Sequence, residues 1–109
     1  MQTLVPIGTF EGNARGLLGD AGFDDLLELL AKRPKVGRVI VGTGGLRKLR
    51  VARPGRGKSG GARVIYYYHN EDKPILLLLI YAKPDQDNLT GAQKSQLKKH
   101  VDVIIDEFG

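Results

Sequence analysis

The side chains of this sequence that could do chemistry are almost all Arg and Lys, and most of them lie in one stretch without acids. Residues 29–70 contain no carboxylate. The positive residues of this stretch are Lys32, Arg33, Lys35, Arg38, Arg47, Lys48, Arg50, Arg53, Arg56, Lys58 and Arg63. The rest of the chain holds six positive residues and all twelve acids. This separation of charge predicts a polyanionic partner, with a solvated basic surface as the alternative.

Other reactive side chains are scarce. The chain has no Cys, and its two histidines, His69 and His100, are isolated from each other and from acids at metal-ligand spacing. The sequence therefore predicts no metal and no cofactor, and it excludes disulfide scaffolds and thiol nucleophiles. Any chemistry must use Arg, Lys and Tyr.

A glycine-rich segment, residues 52–59 (ARPGRGKS), nearly matches a phosphate-binding P-loop. A P-loop requires a helix directly after it, whereas a further strand is predicted here. The segment fits better as a hairpin loop whose Arg53, Arg56 and Lys58 contact a phosphate backbone. An ordinary mobile loop with incidental charge is the alternative.

Alternation along the first long predicted strand separates its basic side chains into two sets. Lys48 and Arg50 share one face, and Arg47, Leu49 and Val51 share the other. Because Leu49 and Val51 should be buried, we expect Lys48 and Arg50 to point to the free face, which Arg47 could reach only from the strand end.

The same alternation assigns the side chains of the following strand. If Arg63 points to the free face, Tyr67 shares that face and is a candidate for stacking on a base. Tyr66 and Tyr68 then point at the helices. Lys83 ends the apolar run of the last strand and is a further candidate at the end of the sheet.

The predicted elements form one domain over residues 1–109. They are a short edge strand over 2–7, helices over 10–21 and 23–33, strands over 46–51, 62–69 and 74–83, and a C-terminal helix opened by a capping box at Thr90 and Gln93. This order predicts an α+β domain with a small, mainly antiparallel sheet of three or four strands, two N-terminal helices and one C-terminal helix. We expect the helices on one face and the other face free.

The N-terminus has no basic region followed by an apolar run, and the longest apolar run, residues 75–82, is too short to cross a bilayer. We therefore expect a cytoplasmic protein that does not contact membranes.

Residues 42–51 (GTGGLRKLRV), 57–67 (GKSGGARVIYY) and 80–83 (IYAK) together resemble the RelE/HigB branch of the RelE/ParE toxin superfamily of bacterial type II toxin–antitoxin systems. The resemblance extends over about residues 34–100. It is weak over residues 1–22, where several glycines replace better helix formers. Arg38 stands where relatives often carry an acid.

The resemblance implies a toxin that binds the ribosomal A site and cleaves mRNA there, with the RNA 2′-hydroxyl as nucleophile and no metal. It implies that Arg63 contacts the scissile phosphate, with Lys48, Arg50 and Lys83 as phosphate ligands or proton-transfer groups. The further RNA-binding candidates are Arg47, Arg53, Arg56, Lys58 and Tyr67.

The resemblance also implies a cognate antitoxin that covers the basic face or displaces a helix, with DNA contacted only through the toxin–antitoxin complex. Two other functions remain open from the sequence. One is a gyrase poison like the ParE side of the superfamily, and the other is an RNA-binding module without activity.

Overall fold

A computed structural model of the chain describes residues 2–55, 57–83 and 88–108, with the backbone alone for residues 57–60 and 108. The described residues form five strands and two helices. In chain order these are β1 (Leu4–Pro6), α1 (Phe10–Lys32), β2 (Arg38–Val39), β3 (Leu46–Arg53), β4 (Gly57–Tyr67), β5 (Ile75–Ala82) and α2 (Gly91–Phe108). The α+β class is confirmed.

The strands form one mixed sheet with the order β1-β5-β4-β3-β2. The pair β1–β5 is parallel, and the pairs β5–β4, β4–β3 and β3–β2 are antiparallel. The prediction of a three- or four-stranded sheet is therefore too small. It omitted β2, whose two residues pair with β3 at Lys48 and Arg47, because two residues are too few to show an alternation.

The N-terminal helical region differs from the two helices expected. Residues 10–32 form one element that is interrupted at Gly19, which has φ 76° and ψ 167°. That conformation is nearly restricted to glycine. Arg15 links the two sides of the break, since its guanidinium contacts Glu11 at 3.1 Å and Asp20 at 2.9 Å and lies 4.6 Å from the ring centroid of Phe23.

The two helices pack on opposite faces of the sheet, which corrects the expectation that all helices share one face. The buried side of α1 meets Ala62, Val64 and Tyr66 of β4 and Ile75 and Leu77 of β5. Helix α2 lies against a second apolar cluster on the other face. The face expected to be free is therefore covered at one end.

Helix α2 begins at the predicted capping box. The Gln93 backbone N–H donates to the Thr90 hydroxyl at 3.1 Å, and the Thr90 backbone N–H donates to Gln93 Oε1 at 3.0 Å. The buried Val101 and the half-buried Leu97 and Ile104 then pack on the sheet. The reciprocal cap thus fixes where the helix starts over the sheet.

The glycine-rich hairpin is shorter than expected, because residues 57–61 belong to β4. Arg53 pairs with Gly57 near the tip of the β3–β4 hairpin. Arg56 lies outside the described residues.

The segment before β2 is fixed to the sheet by two neighbouring side chains, Tyr66 of β4 and Arg47 of β3, which face each other in the strand register. The Gly37 backbone N–H donates to the Tyr66 hydroxyl at 2.8 Å, and that hydroxyl donates to the Pro34 carbonyl at 2.8 Å. The Arg47 guanidinium donates to the carbonyls of Gly37 at 2.8 Å and Lys35 at 3.3 Å. We call this set of contacts the Gly37 clamp.

Only glycine fits at position 37, because a Cβ there would come within 2.7 Å of the Tyr66 ring and hydroxyl. The Tyr66 side chain is fully buried, and burial raises the pKa of its phenol. The clamp therefore fixes the chain immediately before β2.

We predict that Tyr66→Phe lowers the free energy of unfolding by about 1–3 kcal/mol, because it leaves the buried Gly37 N–H and the half-buried Pro34 carbonyl without their partner. Urea unfolding followed by circular dichroism measures the change. The matched control is Tyr68→Phe, since Tyr68 is half-buried at the same face and the described residues give its hydroxyl no hydrogen bond. Equal midpoints for the two variants would contradict this account of the clamp.

Candidate nucleic-acid interface

The alternation of β3 and β4 places three basic residues on one face of the sheet. Leu49 of β3 and Val64 of β4 pack into the core beneath α1. Their neighbours in sequence, Lys48, Arg50 and Arg63, therefore project to the opposite face, as the sequence pattern predicted. We call the part of this opposite face that carries Lys48, Arg50 and Arg63 the basic face.

The strand register aligns the basic face into a row across three strands. Arg50 of β3 lies directly opposite Arg63 of β4, and Arg63 lies directly opposite Tyr81 of β5. Residues in direct opposition have Cβ atoms about 5 Å apart, and like charges in that position destabilise a sheet. A row that brings two guanidinium groups together in this way is typical of a site that binds an anion.

Arg63 is the most deeply placed member of the row. It is only 1% exposed, and its Nη1 donates to the Ala62 carbonyl at 3.3 Å. Arg50 beside it is exposed. Arg50 is therefore the solvent-accessible guanidinium of the row, and Arg63 is the buried one.

Lys48 extends the basic face along β3. Its ammonium donates to Asn88 Oδ1 at 2.7 Å. Because the amide is neutral, this bond orients Lys48 without cancelling its charge. Lys48 also lies directly opposite Arg38 of the edge strand β2.

Lys83 follows β5 at the other end of the row. Its backbone N–H donates to the Gly61 carbonyl at 3.0 Å, which places it beside the strand that carries Arg63. Its side chain is half-buried. Lys83 therefore lies near the row, two residues after Tyr81.

The charges of Arg38, Lys48 and Arg50 are not neutralised by ion pairs within the part of the chain that the structure describes. The ion pairs found there join Arg15 to Glu11 and Asp20, and Lys32 to Glu28, all in α1. Within the described residues, the paired acids thus belong to α1, and Arg38, Lys48 and Arg50 keep their charges available for a ligand.

A family model described as the RelE toxin of the RelE/RelB toxin–antitoxin system matches residues 37–106. The chain belongs to the RelE toxin family. The match begins at Gly37 and contains β2 to β5, the whole basic face and most of α2. It leaves out α1, where the glycines weaken the resemblance.

Family membership gives the protein the role of a toxin with an antitoxin partner. The sequence predictions of a RelE-type toxin and of an antitoxin partner are thereby confirmed.

Two residues predicted to bind RNA lie away from the basic face. Arg47 points to the α1 side, where its guanidinium is part of the Gly37 clamp. Tyr67 is on the same face as Arg63 but four residues further along β4, about 13 Å away. There it belongs to the apolar cluster beneath α2.

Tyr67 is oriented by contacts of its own. Its hydroxyl lies 3.0 Å from Nδ1 of His69, and the two rings stack with their centroids 6.1 Å apart. Burial, with a smaller contribution from the negative charge of Asp102, raises the pKa of the Tyr67 phenol. In this arrangement Tyr67 does not join the row that contains Arg63.

The hairpin candidates are only partly described. Arg53 is half-buried near the hairpin tip. Arg56 and the side chain of Lys58 lie outside the described residues, so their assignment remains a prediction.

Two residues of the basic face, Tyr81 and Arg38, were not among the sequence candidates. Tyr81 could have been found by alternation, because it stands two residues before Lys83 in the matched IYAK segment. Arg38 carried a weaker signal, since its placement depends on a strand of two residues.

Two further properties of the described residues bear on the site. They contain no group of three or more His, Asp or Glu side chains arranged to hold a metal ion. No helix formed by these residues is long and apolar enough to cross a membrane.

We predict that Arg47→Ala and Arg50→Ala, on opposite faces of β3, affect different quantities: the first lowers stability and the second lowers RNA affinity. Arg47→Ala should lower the free energy of unfolding by about 1–3 kcal/mol because the clamp loses its charged donor, while the folded protein keeps its RNA affinity. Arg50→Ala should change stability by less than about 0.5 kcal/mol because the side chain is exposed, and should weaken RNA binding.

Urea unfolding and fluorescence anisotropy with single-stranded RNA measure the two quantities on the same samples. A loss of RNA affinity in folded Arg47→Ala, together with unchanged affinity in Arg50→Ala, would contradict the placement of these two residues.

Proposed function

We propose that this RelE-family toxin is an endoribonuclease that cleaves mRNA in the ribosomal A site. The observation that supports this proposal most directly is the row of Arg50, Arg63 and Tyr81, flanked by Lys48 and Lys83, on one face of the sheet. Cations and a hydroxyl are the groups that phosphodiester cleavage requires when the RNA supplies its own nucleophile.

In the proposed reaction the 2′-oxygen of one nucleotide forms a bond to the adjacent phosphorus while the bond from phosphorus to the 5′-oxygen breaks. A base accepts the 2′-hydroxyl proton, and the leaving 5′-oxygen takes up a proton. The products are a 2′,3′-cyclic phosphate and a 5′-hydroxyl. Negative charge builds up on the phosphorane oxygens in the transition state, and positioned cations stabilise that charge without a metal ion.

The placement of the residues suggests how these roles divide. Arg63, the best-positioned guanidinium of the row, would hold a non-bridging phosphate oxygen in a dry environment, where a fixed charge acts most strongly. Arg50 would guide the phosphate in from solvent. Lys48, Lys83 and the Tyr81 hydroxyl are the candidates for proton transfer.

The shape of the site supports the ribosome as a further partner. The basic face opens to solvent at the groove beside Arg38 and Arg50, and in-line attack requires the reacting atoms to be held in one geometry. A flexible RNA strand on an open face is not so constrained, whereas mRNA in the A site is already held. In this proposal Arg53, Arg56 and Lys58 contact ribosomal RNA or the mRNA backbone.

The antitoxin would inhibit by covering the basic face or by displacing α2 from the apolar cluster beneath it. An acidic segment would suit the basic face, because Arg38, Lys48 and Arg50 form no ion pair within the described residues. Contact with operator DNA would be made by the antitoxin in the complex.

We predict that induction of the protein without its antitoxin arrests growth and produces mRNA breaks at codon spacing, seen by primer extension. Blocking translation initiation should abolish the breaks, because untranslated mRNA is not held in the A site. Arg50→Ala should slow cleavage at limiting mRNA, because Arg50 guides the phosphate into the site. Arg63→Lys should also slow it, because Lys lacks the planar fork of the guanidinium.

The matched control is Arg33→Ala, which removes an exposed positive charge at the end of α1 and should leave cleavage unchanged. Intact mRNA accompanied by induction of the DNA-damage response would contradict the proposal and favour a gyrase poison. Intact mRNA with neither growth arrest nor DNA damage would favour an RNA-binding module.

A further inference from the structure

The basic face continues beyond the row onto the edge strand. Arg38 of β2 stands directly opposite Lys48 of β3, so the two side chains share a face. Arg38 is exposed. With the neighbouring strands about 4.8 Å apart, Arg38 lies about 10 Å across the sheet from the strand that carries Arg63.

An open groove lies beside this pair. Its lining residues are Val36, Arg38, Lys48, Leu49 and Arg50. The groove forms because β2 pairs with β3 only as far as Lys48, while β3 continues to Arg53. Three of its five lining residues are positive and none is acidic.

The backbone that carries Arg38 is held in place. Gly37, its neighbour in sequence, is bound through its N–H by Tyr66 and through its carbonyl by Arg47. A guanidinium on a fixed backbone loses less conformational entropy on binding than one on a mobile loop. The clamp thus presents Arg38 beside Lys48 before any ligand arrives.

Among residues 2–55, 57–83 and 88–108, no contact uses the Arg38 charge to stabilise the fold. None of the acids in the described part of the chain pairs with it. Opposite Lys48, a positive residue destabilises the β2–β3 pair, whereas an acid there would stabilise it. A positive residue in this position is therefore better explained by a ligand than by folding.

We propose that Arg38, with Lys48 and Arg50, forms a second phosphate subsite that binds the RNA backbone next to the cleaved linkage. This inference rests on the proposed function, because it takes the ligand to be the same RNA strand. The strand would cross the sheet from β5 to β2 and place one phosphate over Arg63 and a flanking phosphate in the groove.

The test measures binding of the folded toxin to a single-stranded RNA whose 2′-O-methyl sugars prevent cleavage. Fluorescence anisotropy at several salt concentrations gives the slope of log Kd against log salt. Removal of one phosphate contact in Arg38→Ala should reduce this slope by about 0.7. Arg38→Lys keeps the charge and should retain most of the slope.

The matched control is Arg33→Ala, which removes an equal charge outside the groove and should leave the slope unchanged. An unchanged slope in Arg38→Ala, or an equal reduction in both variants, would overturn the subsite. The outcome is separate from that of the proposed function. If the toxin does not cut mRNA but Arg38→Ala reduces the slope, the subsite is supported and the proposed function is not. If the toxin cuts mRNA but Arg38→Ala leaves the slope unchanged, the subsite is refuted and the proposed function stands.

Discussion

The packing of β4 against α1 determines the orientation of every side chain in the basic face. Ala62, Val64 and Tyr66 are fully buried on the α1 side, so Arg63 between them must point the other way. Because the side-chain period of a strand is two, a slip of one residue would turn Arg63 into the apolar core beneath α1 and turn Tyr66 out of that core. The apolar residues thus specify the position of the charged ones, although they take no part in the chemistry.

The two ends of the sheet carry different kinds of side chain. At the α2 end it buries apolar side chains such as Leu46 and Ile65, which stabilises the fold. At the other end it places Arg50 directly opposite Arg63, an arrangement that favours a bound anion. The Gly37 clamp and the α1 core lie on the face away from these charges. The fold therefore separates the contacts that stabilise it from the charges that a phosphate would neutralise.

The alternation of side chains was sufficient to predict which face of the sheet carries Lys48, Arg50 and Arg63, because β3 and β4 are long enough to repeat the alternation several times. Local side-chain chemistry likewise predicted the cap at Thr90. The side of the sheet on which α2 packs was not predictable, since an amphipathic helix shows that it has an apolar face but not which sheet face receives it. The role of Arg47 was also hidden, because it depends on Gly37, ten residues away in the chain. Two-residue β2 is too short for any periodic signal, and so Arg38 was missed.

The central claim is that the toxin positions and charge-stabilises an attack made by the RNA itself. The most direct measurement uses an mRNA in the ribosomal A site that carries a single 2′-O-methyl group at the cleaved nucleotide, compared with unmodified mRNA. The account predicts that the unmodified mRNA is cut to a 2′,3′-cyclic phosphate and that the modified mRNA stays intact at that position. Equal cleavage of the two mRNAs would show that another nucleophile attacks the phosphate and would contradict the account.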